Sequence, residues 1–162
     1  MAEIEIRAAH TREADELTAI AIRSKAHWGY ADELLELWTD DLTVDPAQCD
    51  DQSIWLVTVD GVIAGFGEIE CHGETARLDD LWIDPPFMKM GLGRMLLEHL
   101  LGVADSHGCT RAEFEAEPHA VGFYEHMGAR IVGEYVSTSV PGRVLPIMRI
   151  EIPSTTISTD GI

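Results

Sequence analysis

Basic residues are scarce in this chain. Eleven Lys and Arg stand against 29 Asp and Glu, for a formal charge of −18. General nucleic-acid binding depends on cations that neutralise phosphates, so nucleic acid is not an expected partner. The surplus acid fits either a cationic substrate or plain solubility. Cysteine is sparse too. Cys49, Cys71 and Cys109 are odd in number and widely spaced, which gives neither a disulfide framework nor a zinc spacing. His72, His99, His107 and His126 also lack metal spacing and read as surface residues, so no metal is expected. No apolar run is long enough to span a bilayer, and no membrane partner is expected. The opening "MAEIEIRAAH" lacks a basic segment followed by an apolar core. No signal peptide is expected, and a cytoplasmic location follows by default.

What is present suits a soluble globular chain: 162 residues, 46% hydrophobic and 25% charged. "IEIRA" (4–8) alternates and predicts a first strand. Thr11 reads as an N-cap, with Glu13, Asp15 and Glu16 in the first turn, where acids suit the helix dipole. Leu17, Ile20, Ala21 and Ser24 then share a helical face. "SKAHWGY" (24–30) is expected to interrupt that helix, and "DELLELW" (32–38) to form a second. "SIWLVTV" (53–59), the hairpin signal Asp60-Gly61 and "VIAGFGEIEC" (62–71) predict an antiparallel pair. Gly65 and Gly67 hint at a bend or bulge there. "ARLDDLWI" (76–83) completes a three-stranded meander, ended by Pro85-Pro86.

Then comes "PPFMKMGLGRMLLEHL" (85–100). Leu92, Leu96, Leu100 and Val103 recur at helical spacing, and Gly108 provides a stop. A strand at 111–117, a short helix at 120–127 and strands near 130–137 and 144–152 follow. Strand, helix, strand implies a right-handed crossover and a parallel pair. The expected architecture is α/β, with a mixed and largely antiparallel sheet. No internal repeat or second domain is visible. Residues 1–152 are expected to form one domain, and the tail 153–162 to be disordered.

Gly91 and Gly93 sit at a helix mouth beside Lys89 and Arg94. Glycine costs a helix roughly 1 kcal/mol relative to alanine. An anion held by bare backbone N–H groups at a helix N-terminus can offset that cost. The Rossmann fingerprint needs a third glycine, and the Walker A loop needs Gly-Lys-Ser/Thr; neither is present.

"LWIDPPFMKMGLGRMLL" resembles the acetyl-CoA-binding motif of the GCN5-related N-acetyltransferase (GNAT) family, Gln/Arg-x-x-Gly-x-Gly/Ala. Here it runs Met88-Lys89-Met90-Gly91-Leu92-Gly93. "AVGFYEHMGAR" (120–130) resembles the family's Phe-Tyr-x-x-x-Gly segment, and "PGRVLPIMRI" (141–150) looks like the closing strand of some bacterial members. The resemblance covers most of the chain. It implies a GNAT-like sheet with helices on both faces and a β-α-β cofactor-binding unit. Met88 stands where the motif usually has a polar residue, and His119 where many members carry asparagine.

The family likeness further implies that acetyl-CoA is the acyl donor. Its pyrophosphate would lie on residues 88–94 and its pantetheine arm along the backbone of Leu81, Trp82 and Ile83, with His119 and Phe123 nearby. Tyr124 would protonate the leaving thiolate. Many relatives carry glutamate where this chain has Arg77, which leaves the general base open among Glu68, Glu70, Asp79 and Asp80. Alternation puts Glu68 and Glu70 on one face, and Asp79 and Asp80 on opposite faces. His27, Trp28 and Tyr30 lie where the family often builds its acceptor pocket. The implied activity is direct acetyl transfer to an amine of a small molecule or a protein; the alternative is a non-catalytic acyl-CoA-binding sensor. A homodimer stays open.

Overall fold

The computed structural model describes residues 1–153, so the expectation for the tail beyond Pro153 lies outside the described residues. The elements run β1 (Ile4–Ala8), α1 (Ala14–Ala26), α2 (Asp32–Leu42), β2 (Ile54–Val59), β3 (Val62–His72), β4 (Thr75–Ile83), α3 (Leu92–Ser106), β5 (Arg111–Glu115), α4 (Val121–His126), β6 (Arg130–Val136) and β7 (Val144–Glu151). The seven strands form one sheet in the order β1-β2-β3-β4-β5-β7-β6. The β4–β5 pair is parallel, and the other neighbours are antiparallel.

Alternation along β2 divides the core into two layers. Ile54 and Leu56 point to one face, where they meet Leu17 and Ile20 of α1 and Trp38 of α2. Val57 and Val59 point to the other, against Leu92, Leu96, Leu97 and Leu100 of α3. The mixed sheet therefore carries helices on both faces. Each of these α3 leucines is essentially out of water, a contribution of roughly 1.5–3 kcal/mol apiece.

Local details depart from the sequence reading. The first helical turn is capped from His10, whose N–H donates to Glu13 Oε1 at 2.9 Å, and not from Thr11. α1 continues through Ser24 and Lys25 to Ala26, so "SKAHWGY" breaks the helix only at its second half. Ser24 is buried and Lys25 still follows the helical face, which explains the continuation. His99 is not a surface residue. Its ring lies 4.5 Å from that of Trp55, and its Nε2 is buried. The hairpin at Asp60-Gly61 is as expected, with both residues at positive φ, 50° and 82°.

Candidate active site

β4 organises the site. It parts from β5 after the Arg77–Glu113 pair but stays on β3 as far as Ile83. Leu78 to Ile83 thus have no partner on the β5 side, and the gap opens into a cavity of about 590 Å³. Two glycines of β3 let β4 lie close. A Cβ at Gly65 would meet the Trp82 carbonyl oxygen at 2.6 Å, and one at Gly67 that of Asp80 at 3.0 Å. The far end of β4 is tied to α1 by Arg23, whose Nε and Nη2 donate to the two Asp84 oxygens at 2.9 and 2.8 Å.

The glycine segment forms one rim. Lys89 and Gly91 both adopt positive φ, 67° and 79°, and α3 starts at Leu92. This tight reversal leaves the first-turn N–H groups of Leu92, Gly93 and Arg94 without intrahelical partners, at the positive end of the dipole. Met88, Lys89 and Gly93 line the cavity. Phe123 packs over Gly93, where a Cβ would touch its ring at 3.5 Å. The Leu92 side chain is in the core, Met90 is exposed, and Arg94 pairs with Glu98 at 3.0 Å on the open surface.

Deeper in the cavity, Tyr124 is buried between Phe114 and Phe123, with ring centroids 4.5 and 5.2 Å away. Burial, and then the charges of Asp80 and Glu117, push its phenol above the ordinary value, so it stays protonated at neutral pH.

The carboxylates do not follow simple alternation. Glu68 pairs with Asp80 across the β3–β4 ladder, but the next pair is Ile69 with Leu78. Asp79 is the extra residue of a β-bulge. The bulge brings both aspartates to the cavity wall and sets oxygens of Glu68, Glu70 and Asp79 within 4.8 Å of one another. The expectation that Asp79 and Asp80 face opposite ways is thereby corrected. Asp79 is neutralised by Arg77 at 2.5 Å, while Arg77 also holds Glu115 at 2.8 Å and stays outside the cavity. Asp80 accepts from Trp82 Nε1 at 2.9 Å. Burial pushes the Asp80 carboxyl up to about 6, with the Trp82 bond opposing. Burial, then the charges of Asp80, Asp79 and Glu70, push Glu68 up to about 7.

The opposite wall comes from the α1–α2 turn and the segment after β5. Trp28 stacks on His119 at 5.1 Å, and His27 packs edge-on to Trp28 at 5.3 Å. Tyr30 donates its hydroxyl to Glu117 Oε1 at 2.5 Å, Lys25 Nζ reaches Glu117 Oε2 at 2.5 Å, and His119 Nδ1 lies 2.7 Å from Oε1. Burial alone would raise the Glu117 carboxyl, but these bonds outweigh it and hold the group at about 2. Burial lowers the Lys25 ammonium from its usual value, with Glu117 opposing.

The acetyltransferase (GNAT) family model matches residues 20–129, from α1 through the end of α4. The chain belongs to the GNAT acetyltransferase family. It is an enzyme of the N-acetyltransferase type. It is 32% identical to the peptidyl-lysine N-acetyltransferase YjaB of Salmonella typhimurium, over 93% of this chain and 99% of that one. It is 30% identical to the uncharacterized protein YyaT of Bacillus subtilis, over 81% of this chain and 87% of the relative. The PaiA N-acetyltransferase of Thermoplasma acidophilum, solved in complex with coenzyme A, superposes with a TM-score of 0.70 at 20% identity, covering 92% of this chain and 99% of that structure. That likeness shows the GNAT fold.

In this GNAT chain most of the residues singled out from sequence meet at one cavity: the 81–83 strand, Met88, Lys89, Gly93, Phe123, Tyr124, Asp80, His27, Trp28 and His119. Glu68 lies behind Asp80. Sequence reasoning missed Lys25, Glu117 and Arg143. They come from α1, the end of the β5 segment and the β6–β7 hairpin, and no local spacing links them. Among the described residues no helix is long and apolar enough to cross a membrane.

Proposed function

We propose that this enzyme moves an acetyl group from acetyl-CoA directly to an amine, with Asp80 and Tyr124 as its acid–base pair. The observation that carries this reading is the parting of β4 from β5, with the Gly91 helix mouth and Tyr124 opening on the same gap. The unpaired edge of Leu81, Trp82 and Ile83 can take the pantetheine amides as an added strand. The bare N–H groups after Gly91, with Lys89, suit the pyrophosphate. The family membership and the acetyltransferase names of the relatives support the same reading. So does YjaB, whose name specifies an amino-group acceptor.

The acceptor must attack as a neutral amine, whereas a free alkylamine has a pKa of about 10. Asp80, backed by Glu68, takes the amine proton directly or through one water. The amine nitrogen bonds to the thioester carbon, and the tetrahedral intermediate collapses by breaking the C–S bond. The departing thiolate takes its proton from Tyr124, and the surplus proton on the attacking nitrogen restores the phenol, leaving a neutral amide and free thiol. Arg77, which stands where many relatives carry glutamate, is occupied by Asp79 and Glu115 outside the cavity.

The test is release of free thiol from acetyl-CoA with a panel of amines, beside calorimetric titration of acetyl-CoA alone. Binding and amine-dependent thiol release are expected. Binding without release from any amine would favour the sensor.

A further inference from the structure

One carboxylate in the acceptor wall serves two cations. Glu117 is already engaged by Lys25, Tyr30 and His119. Arg143 also lines the cavity, with its side chain only 17% exposed. Its Nη2 lies 3.7 Å from Glu117 and donates to the Tyr30 hydroxyl at 3.3 Å. Its Nε and Nη1 have no acceptor among the described residues. Its guanidinium carbon sits 4.6 Å from the Trp38 ring centroid, and Lys25 Nζ sits 4.5 Å from the same ring. The two cations are therefore neighbours in a partly dry wall, with a net charge of +1 after Glu117 is counted.

Arg7, Arg23, Arg77, Arg94 and Arg149 each contact a carboxylate at 3.0 Å or less, whereas Arg143, the arginine that lines the cavity, has Glu117 only at 3.7 Å. In a chain of formal charge −18, carboxylates are not in short supply. Asp41 is near, on the rim of an adjoining small cavity, but forms no ion pair with Arg143. Its Nε and Nη1 are not buried, so the guanidinium fork keeps spare donors that an incoming anion can take up in place of water. Asp79 and Asp80 line the same cavity on the β4 wall, where the amine must be deprotonated. The cavity thus has an acidic wall and a cationic wall.

We propose that the acceptor is a small amine that also carries a carboxylate, an amino acid or a close analogue, and that Arg143 binds its carboxylate while the amine faces Asp80. This rests on the transferase reading above and names its substrate class. Arg143 suits the task, because its planar fork can take a carboxylate by two parallel hydrogen bonds. Trp28 and His119 line the same cavity.

The experiment compares matched acceptors: an α-, a β- and an ω-amino acid, each beside its own carboxamide. kcat/KM is measured for wild type, Arg143→Gln and Arg143→Lys, with acetyl-CoA affinity and melting temperature as controls. A carboxylate preference of roughly 10- to 100-fold is expected for at least one spacing, the span of charged hydrogen bonds. An α-carboxamide's amine is the weaker base and is more often neutral, so in that pair the preference must overcome an opposing bias. Arg143→Gln should close the ratio, and Arg143→Lys should keep part of it. A wild-type ratio near one overturns the proposal, whether or not the variants fold. So does a ratio that survives Arg143→Gln. If no panel member is acetylated while acetyl-CoA binds, this proposal fails and the transferase reading stands. If acetyl-CoA does not bind, both fall.

Discussion

Glu68 and Asp80 face each other across the β3–β4 ladder, one residue short of the bulge at Asp79. Both are raised, to about 7 and about 6, chiefly by burial. Two carboxyls so placed share their last proton, and the pair rather than either residue titrates. Glu68 is buried, and of the two it is Asp80 that lines the cavity.

The first consequence is a pH profile. A base must be deprotonated to act, so kcat/KM should rise through about pH 6 to 7. Asp80→Asn should remove that limb and lower kcat/KM by roughly 10²–10⁴-fold. Steady-state rates from pH 5 to 9 on both proteins check this. An unchanged limb in the variant would transfer the role to another group.

The same pair should lower stability at alkaline pH. Its carboxyls are raised in the folded state, so between about pH 4 and 7 the folded chain holds protons that the unfolded chain has lost. Their stabilisation is present at low pH and is lost as pH rises through 6 to 7. Asp80→Asn should therefore be more stable than wild type at pH 8, by about 1–3 kcal/mol, and close to it at pH 4. Urea unfolding at the two pH values measures the difference.

The helix mouth and the helix behind it were legible because their signals are local. Gly91 closes a reversal and Gly93 lies in the first turn of α3, while Leu92, Leu96 and Leu100 mark a periodic face. Tyr124 lies on the cavity, and a short motif singles it out. The rest depends on pairing across distance. Nothing near Asp79 announces a bulge, since a bulge is a property of two strands' register. Lys25 and Glu117 are 92 residues apart, and Arg143 and Tyr30 are 113 apart. Such contacts leave no periodicity. His99 was misjudged for the same reason: its neighbour Trp55 is on another element.

Gly91 has φ 79°, where side chains are strained, and the space beside it is open. Gly91→Val should distort the turn and cost acetyl-CoA at least tenfold in affinity, with the core of α3 intact. Lys89→Gln should weaken binding less, and should also reduce its salt dependence, because the contact is ionic and exposed. Calorimetry at low and high ionic strength separates the two effects. Full affinity in Gly91→Val would place the pyrophosphate elsewhere.

Tyr124→Phe keeps the ring between Phe114 and Phe123 and removes only the proton. If the phenol protonates the thiolate, it acts in the transition state and hardly in ground-state binding. kcat should fall by roughly 10²–10⁴-fold, with the smaller end favoured because a thiolate leaves readily. Acetyl-CoA affinity should not change. A wild-type kcat would leave Tyr124 as a wall of the slot.

Glu117 makes the strongest stability test, because its removal strands two cations. The Lys25 and Arg143 side chains are only 12% and 17% exposed, and Glu117 is the carboxylate between them. Removing one partner of a buried pair costs about 3–5 kcal/mol, more than the pair itself contributes. Glu117→Gln keeps the shape and should show that loss, a melting point lower by roughly 6–20 °C for a domain of this size. The effect should vanish in acid. The folded carboxyl sits at about 2, so its contribution is complete above pH 4.5 and is lost as pH falls toward 2. Pairing Glu117→Gln with Lys25→Met should restore part of the loss, since an unpaired buried charge has been removed with its partner. Full additivity of the two substitutions would mean that Lys25 and Glu117 are not coupled, and the acceptor wall would then need another account of its charge.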